Sequence, residues 1–236
     1  MKWYPRVKGA LDATVVQDVS GLENIPDSPV MLVSNHQSFL DSLLISSLYT
    51  THTGKPLRFA AQKEYFDGEG LRVTLPIVGE RRIAGQALKW LVEVAGSFPV
   101  DRQSRDPKDA IQSMIDASAA AYARGESTGA HPEGTRSKSR SQVYRFRGGA
   151  IWSAVVNEVP IVPVSINMGW TPHLWRHARV RVGEPMTAEH LGLSSLTSLS
   201  SPDDTARVRE YSREVQQAVA VLGDLEAVDQ NVPSKK

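Results

Sequence analysis

Short apolar runs alternate along the chain with segments in which apolar residues recur every three or four positions. The short runs predict strands at 13–19, 30–34, 57–61, 98–100, 128–130, 161–166 and 179–182. The spaced segments predict helices over 38–48, 86–95, 106 to about 125, 148–157 and 203–222. Strands that alternate with helices indicate an α/β fold with a mostly parallel central sheet covered by helices.

The length and composition of the chain favour one domain. With 236 residues and 41% hydrophobic content, the chain can bury a substantial core. It contains no internal repeat and no stretch with the composition of an interdomain linker. We predict a single domain over residues 1–226, with the motifs described below confined to about 25–190, and a frayed tail over 227–236.

The charge balance and the missing cysteines exclude several classes of function. Lys and Arg number 27 against 26 Asp and Glu, so the basic footprint of a nucleic-acid-binding protein is absent. Without cysteine there is no disulfide, no thiolate metal site and no cysteine nucleophile. The N-terminal residues 1–8 lack the apolar core of a signal peptide, and no apolar run is long enough to span a bilayer. We therefore expect a cytoplasmic protein that does not cross a membrane.

A histidine and a carboxylate lie five positions apart directly after the apolar run 30–33. On one regular helix such positions point about 140° apart, so His36 and Asp41 would not meet. They meet if a strand ends near Ser34, His36 lies in a turn, and Ser38 caps a helix with Asp41 in a capping box. The pair then has the arrangement of a general base and its orienting group. Taken alone, the pattern is equally typical of a capped helix that follows a solvated histidine.

A second polar stretch, Glu133-Gly134-Thr135-Arg136, follows a short predicted strand. Glycine lets backbone amides approach an anion closely, and arginine holds phosphate through paired hydrogen bonds. The basic side chains continue beyond it at Lys138, Arg140, Arg145 and Arg147. A glycine turn with solvated charges is the alternative. Arg102 is a further phosphate-binding candidate, for which a surface ion pair with Asp101 or Asp106 is the alternative.

Four blocks of this sequence resemble the 1-acylglycerol-3-phosphate acyltransferase family, the PlsC-like glycerolipid acyltransferases. The blocks are His36 with Asp41, Gly96 to Arg102, Glu133-Gly134-Thr135-Arg136, and Val159-Pro160-Ile161-Val162-Pro163-Val164. They occur in the family's order and approximate spacing, and Phe146-Arg147-Gly148-Gly149-Ala150 is similar to another family segment. The resemblance covers roughly residues 25 to 190 and implies a glycerolipid acyltransferase-like fold.

The resemblance implies a role for each motif. His36 would take a proton from the acceptor hydroxyl, with Asp41 orienting its ring, and the oxygen would attack the thioester of acyl-CoA or of an acyl carrier protein. The acceptor, 1-acylglycerol-3-phosphate (lysophosphatidate), would be converted to phosphatidic acid. It would be held at its phosphate by Arg102, Glu133, Gly134, Thr135 and Arg136. The segment Val159, Pro160, Ile161 and Pro163 would line the acyl channel or be structural. No metal and no cofactor beyond the acyl donor would be needed.

The sequence departs from the family pattern at two places. His131 stands where the family has a large apolar or aromatic residue, and the apolar N-terminal helices of membrane-bound members are missing. Contact with lipid would therefore be peripheral, at the cytoplasmic face. Aromatic and basic residues that suit an interface are Trp3, Tyr4, Arg6 and Lys8, or Trp170, Trp175 and Arg176.

Two alternatives to lysophosphatidate acylation stay open. The same chemistry can act on another lysophospholipid or on a polyol or sugar hydroxyl, and a protein with a decayed site can bind lipid without catalysis. A metal site at His173 and His177, four positions apart, is disfavoured because no nearby acid completes a ligand set. Pro172 indicates a loop there.

Overall fold

The computed structural model describes residues 15–38, 40–67, 71–75, 79–83, 89, 92–93, 96–100, 106–137, 139–170, 176–193 and 201–233. Its strands are β1 Val15–Ser20, β2 Met31–Ser34, β3 Leu57–Gln62, β4 Leu71–Leu75, β5 Gly79–Ile83, β6 Phe98–Val100, β7 Ser127–Ala130, β8 Gln142–Val143, β9 Ile161–Trp170, β10 Arg176–Val182 and β11 Glu226–Ala227. The helices are α1 Asp41–Thr53, α2 Pro107–Tyr122, α3 Gly148–Val156 and α4 Pro202–Leu222.

Seven strands form the central sheet in the order β1-β10-β9-β2-β7-β3-β6. The five strands from β9 to β6 are parallel, whereas β10 runs antiparallel to β9 and parallel to β1. The predicted mostly parallel sheet is thereby confirmed. In such sheets ligands bind beyond the carboxyl ends of the parallel strands, which is where β2 and β7 lead into the two sequence motifs.

The sheet separates two hydrophobic clusters. Met31 and Val33 of β2 pack into the cluster with α2, α3 and α4, and Leu32 packs on the other face with α1. A strand buried on both faces reads as a continuous apolar run, which explains the pattern of residues 30–33. Helices therefore cover both faces of the sheet, as predicted.

Helix α1 differs from its predicted limits at both ends. It begins at Asp41 after an N-cap at Leu40 and continues through Thr53, where a break was predicted. The hydroxyls of Thr51 and Thr53 donate to carbonyls one turn earlier, at 2.8 and 2.9 Å. These bonds satisfy the hydroxyls within the helix, so both threonines can be helical. Gly54 ends the helix with φ +70°, a left-handed conformation that favours glycine.

The predicted starts of the other helices are close to those observed. The Asp106 carboxylate accepts from Lys108 N at 2.8 Å and Pro107 occupies the first turn of α2, as predicted. Helix α2 ends at Tyr122, a little before the predicted end near Gly125. Of the predicted helix over 86–95, the described residues Lys89, Val92 and Glu93 are helical.

Three segments correct or extend the prediction. The region over 63–82, which has no clear periodicity, contains the antiparallel hairpin of β4 and β5. The tail is not frayed over 227–230, because Ala227 pairs with Val143 in the two-stranded sheet of β8 and β11, and Gln230 O accepts from Arg145 N at 3.0 Å. The loop predicted over 173–177 is wrong for His177, which belongs to β10 and pairs with Gly169.

Several predicted features lie outside the described residues. These are Trp3, Tyr4, Arg6, Lys8, Arg102, Lys138, His173 and Trp175; of Trp170 and Arg176 only the backbone is described. Within the described ranges, no helix is both long and apolar enough to cross a bilayer.

Candidate active site

The two polar motifs lie side by side at the carboxyl end of the sheet. Strand β2 pairs in parallel with β7, and Val33 lies opposite Ala130. The loop after β2 therefore starts next to the loop after β7, although about a hundred residues separate them in sequence. A further backbone bond joins them, because Ser137 N donates to His36 O at 2.7 Å.

The turn brings His36 and Asp41 together as the sequence predicts. His36 Nδ1 lies 3.0 Å from Asp41 Oδ2, and that oxygen also accepts from Gln37 N at 2.6 Å and Ser38 N at 2.7 Å. An ionised carboxylate only accepts, so the hydrogen of the neutral imidazole sits on Nδ1 and the lone pair on Nε2. The His36 side chain is 19% exposed and Asp41 is fully buried.

The capping interaction is only partly the one predicted. Asp41 does accept from Ser38 N, but the Ser38 hydroxyl accepts from Leu40 N at 3.2 Å, and Asp41 is the first helical residue. Three donors meet at one Asp41 oxygen, whereas buried Oδ1 has no hydrogen-bond partner among the described residues. The carboxylate therefore organises the turn as well as the imidazole.

Burial raises the pKa of Asp41 to about 6, and the two backbone amides that donate to it act in the opposite direction. Asp41 is therefore predominantly ionised at neutral pH and loses its charge as the pH falls through about 6. The charge that orients His36 is thus present under ordinary cellular conditions.

Glu133 connects the two loops through backbone donors. Its Oε2 accepts from His36 N at 2.9 Å and its Oε1 from Tyr144 N at 2.8 Å. The residue is only 3% exposed, and burial raises the pKa of Glu133 to about 7. Both carboxylate oxygens thus face the protein backbone.

The remaining members of the second motif lie at the surface. Gly134 has φ +78°, and a Cβ there would lie 3.1 Å from the Arg147 guanidinium. Thr135, Arg136 and Arg147 are exposed. The Arg136 guanidinium is partly desolvated, which lowers the pKa of Arg136 but leaves it charged at neutral pH. The loop therefore presents positive charge around a glycine turn.

His131 is the site residue whose role the sequence did not predict. Its ring is stacked on that of His36, with centroids 4.1 Å apart and planes inclined by 3°. It is 8% exposed, and burial lowers the pKa of His131 to about 3, so it is neutral. The only sequence signal was that a histidine replaces the apolar or aromatic residue expected there.

The proposed acyl-channel segment lies in the centre of the sheet. Pro160 O accepts from Met31 N at 3.0 Å, and Ile161 and Pro163 of β9 pair with β2. A cavity of about 540 Å³ lies between the sheet and the helices α2, α3 and α4, and neither those three residues nor Val159 line it. Whether this segment lines the acyl channel or is structural stays a prediction.

No group of three or more side chains suited to hold a metal ion occurs within the described ranges. The expectation of a reaction without metal or cofactor stays a prediction.

Comparison with known proteins identifies the family. An acyltransferase family model matches residues 17–76 and 69–167, which include both motifs. The chloroplastic 1-acyl-sn-glycerol-3-phosphate acyltransferase BAT2 of Brassica napus is 31% identical over 152 residues, 63% of this chain and 36% of the relative. The 1-acyl-sn-glycerol-3-phosphate acyltransferase of Pseudomonas aeruginosa is 26% identical over 204 residues, 84% of this chain and 68% of the relative.

A solved structure agrees with the sequence matches. The crystal structure of the 1-acyl-sn-glycerophosphate (LPA) acyltransferase PlsC of Thermotoga maritima matches with a TM-score of 0.56 and 25% identity, over 94% of this chain and 76% of that one. This chain spans only about a third of the length of its plant relatives. The match to the family model covers well over half of the sequence, and the chain belongs to the acyltransferase family.

Proposed function

We propose that this protein transfers a fatty acyl group from a thioester donor to the free hydroxyl of 1-acyl-sn-glycerol-3-phosphate, giving phosphatidic acid. The observation that carries the proposal is the 3.0 Å contact between His36 Nδ1 and buried Asp41, in a chain of the acyltransferase family. The relatives in Brassica napus and Pseudomonas aeruginosa are named for this reaction.

In the proposed mechanism His36 is the general base. Its Nε2 takes the proton of the acceptor hydroxyl while the oxygen attacks the thioester carbonyl, and Asp41 stabilises the imidazolium that forms. A carbon–oxygen bond forms, the carbon–sulfur bond then breaks, and the proton passes from His36 to the departing thiolate. The products are the ester and the free thiol of coenzyme A or of an acyl carrier protein.

Glu133 acts, in this proposal, on the base and not on the phosphate. A buried carboxylate that accepts two backbone hydrogen bonds cannot attract an anion. One of the two donors to Glu133 is His36 N. It fixes the backbone of the residue that carries the imidazole, because a backbone held on both sides limits how the ring moves. This replaces the phosphate-binding role that the resemblance implied for Glu133.

The acceptor phosphate is proposed to lie at the turn of Gly134, Thr135 and Arg136. Glycine leaves room for an oxygen close to the backbone, and Arg136 and Arg147, both surface residues, supply paired guanidinium donors. Arg102 stays in the proposed set on the strength of the sequence motif alone. Peripheral contact with the cytoplasmic face of a membrane is part of the proposal, because both the acceptor and the product are lipids.

The proposal is tested by following release of the free thiol from acyl-CoA with a panel of acceptors. The panel contains 1-acyl-sn-glycerol-3-phosphate, its dephosphorylated monoacylglycerol, lysophosphatidylcholine and glycerol. We expect acceptor-dependent release with the first and at most slow release with the others. Fast release with glycerol or monoacylglycerol would assign the protein to polyol acylation.

Two controls separate acyl transfer from other outcomes. Mass spectrometry of the product distinguishes transfer from hydrolysis, and acyl carrier protein replaces acyl-CoA in a parallel series. If the folded protein binds lysophosphatidate but releases no thiol from either donor with any acceptor, it is a non-catalytic lipid-binding protein.

A further inference from the structure

Two aromatic rings are stacked behind the imidazole of the proposed base. The rings of His36 and His131 are almost parallel at 4.1 Å, and Phe59 of β3 stacks on His131 with centroids 5.0 Å apart and planes inclined by 26°. His131 thus contributes a flat face to the half-buried imidazole of His36. A histidine that merely filled the core would not need to lie parallel to the base.

Two hydroxyl groups fix the plane of the His131 ring. Ser34 Oγ, at the end of β2, lies 2.8 Å from Nδ1, and Ser42 Oγ, in the first turn of α1, lies 2.9 Å from Nε2. A neutral imidazole has one donor and one acceptor nitrogen, so a hydroxyl at each nitrogen satisfies both. Rotation of the ring about its Cβ–Cγ bond would break both hydrogen bonds.

Phe59, on the side of His131 away from His36, is itself held in place by the sheet. Gly129 of β7 leaves the space that the Phe59 ring occupies, since a Cβ at this glycine would lie 2.7 Å from ring atoms of Phe59. Phe59 is 2% exposed, so it cannot retreat from His131 into solvent. The sheet therefore holds Phe59, Phe59 backs His131, and His131 backs His36.

We infer that His131 is a positioning residue, whose ring, held by Ser34 and Ser42, fixes the plane of the His36 imidazole so that its Nε2 faces the acceptor hydroxyl. The inference rests on the proposed role of His36 as the base. Asp41 constrains the position of one ring nitrogen, whereas the parallel ring of His131 constrains the plane of the imidazole. The two constraints are complementary.

The test compares two substitutions that retain different parts of the stack. His131→Phe keeps an aromatic face and loses the serine bonds, whereas His131→Leu loses both. For His131→Leu we expect kcat to fall roughly 10- to 100-fold, the cost of a misplaced catalytic group. The KM values for acyl-CoA and for 1-acyl-sn-glycerol-3-phosphate should change less than about twofold, and His131→Phe should retain more of kcat than His131→Leu.

Two serine substitutions on α1 test the same inference if the His131 variants fail to fold. Ser42→Ala removes one bond to His131, and Ser46→Ala removes a hydroxyl one turn further along the same helix. We expect Ser42→Ala to lower kcat about threefold or more and Ser46→Ala to leave it unchanged. Equal kcat in both variants, or equal losses in His131→Phe and His131→Leu, would overturn the inference.

Failure of this inference is distinguishable from failure of the proposed function. If folded His36→Ala retains the wild-type kcat, His36 is not the base and the proposed mechanism fails. If His36→Ala is inactive while folded His131→Leu keeps its kcat, the mechanism stands and only the positioning role is lost. Thermal unfolding of each variant, measured alongside, shows whether a fall in kcat reflects loss of folded protein.

Discussion

The loop after β2 and the loop after β7 run next to each other, but they hold their functional side chains differently. Around His36 the carboxylates of Asp41 and Glu133 are buried, and three donors converge on Asp41. At the proposed phosphate-binding turn the side chains of Thr135 and Arg136 are exposed. The proposed base is thus positioned before any substrate arrives, whereas the proposed phosphate site faces solvent.

This difference has an energetic reason. Proton transfer needs an imidazole within hydrogen-bond distance of the hydroxyl, so ordering the base in advance lowers the barrier to reaction. An anion is attracted to cations over longer distances, so its initial binding depends less on exact geometry. Substitutions near His36 should therefore change kcat, and substitutions near Arg136 should change binding of the acceptor.

The largest effect is expected for His36→Ala. Removing the general base should lower kcat by about 10²–10⁴-fold, and the half-buried position of the ring predicts little change in folding. Thiol release under saturating substrates measures kcat, and circular dichroism checks the fold. Wild-type turnover in the folded variant would contradict the role of His36.

Asp41→Asn should have the next largest effect. The imidazole loses a charge-assisted hydrogen bond, worth about 1.5–3 kcal/mol, which corresponds to about 10- to 100-fold in kcat. In the wild-type protein kcat should also fall below about pH 6, where Asp41 takes up a proton and loses its negative charge. The pH dependence of kcat is the measurement, with Ser46→Ala as a control on the same helix. An unchanged kcat for folded Asp41→Asn would restrict Asp41 to capping the turn.

The two regions also differ in what the sequence predicted. The contact between His36 and Asp41 depends only on a strand, a turn and a helix that follow one another, so the sequence from Val30 to Asp41 was sufficient to predict it. The contact of Glu133 with His36 N was not predictable, because it depends on the parallel pairing of β2 with β7. The same holds for the stack of His131 on His36, which requires strands distant in sequence to become neighbours.

The prediction of the fold shows the same division between local features, which were predicted, and particular side-chain or long-range contacts, which were not. Apolar periodicity located the parallel strands and the helices, and the Asp106-Pro107 start of α2 followed from local chemistry. The extension of α1 to Thr53 depends on threonine hydroxyls that bond within the helix, and the order of Ala227 depends on pairing with Val143. Neither interaction leaves a periodic signal in the sequence.

Glu133→Gln should affect both kcat and the pH dependence of the unfolding free energy, and the two effects can be measured separately. The amide cannot accept from both backbone donors, so we expect kcat to fall about three- to tenfold. Because burial raises the pKa of Glu133 from 4.5 to about 7, the folded protein retains a proton that the unfolded chain releases between these values. The unfolding free energy of the wild type should therefore decrease relative to that of Glu133→Gln as the pH rises from 4.5 to about 7. Urea unfolding of both proteins across this range measures the difference, and parallel curves would contradict it.

The smallest effect is expected at the exposed turn, for Arg136→Lys. Lysine keeps the charge but loses the paired planar contact, so the KM for 1-acyl-sn-glycerol-3-phosphate should rise about three- to tenfold, with little change in the KM for acyl-CoA. The effect should be absent for monoacylglycerol, which lacks the phosphate. Arg140→Lys, an exposed arginine in the same loop, is the matched control. Equal losses with and without the phosphate would mean that Arg136 supports the fold or the donor, and an acceptor with a polyol or sugar hydroxyl would then replace lysophosphatidate.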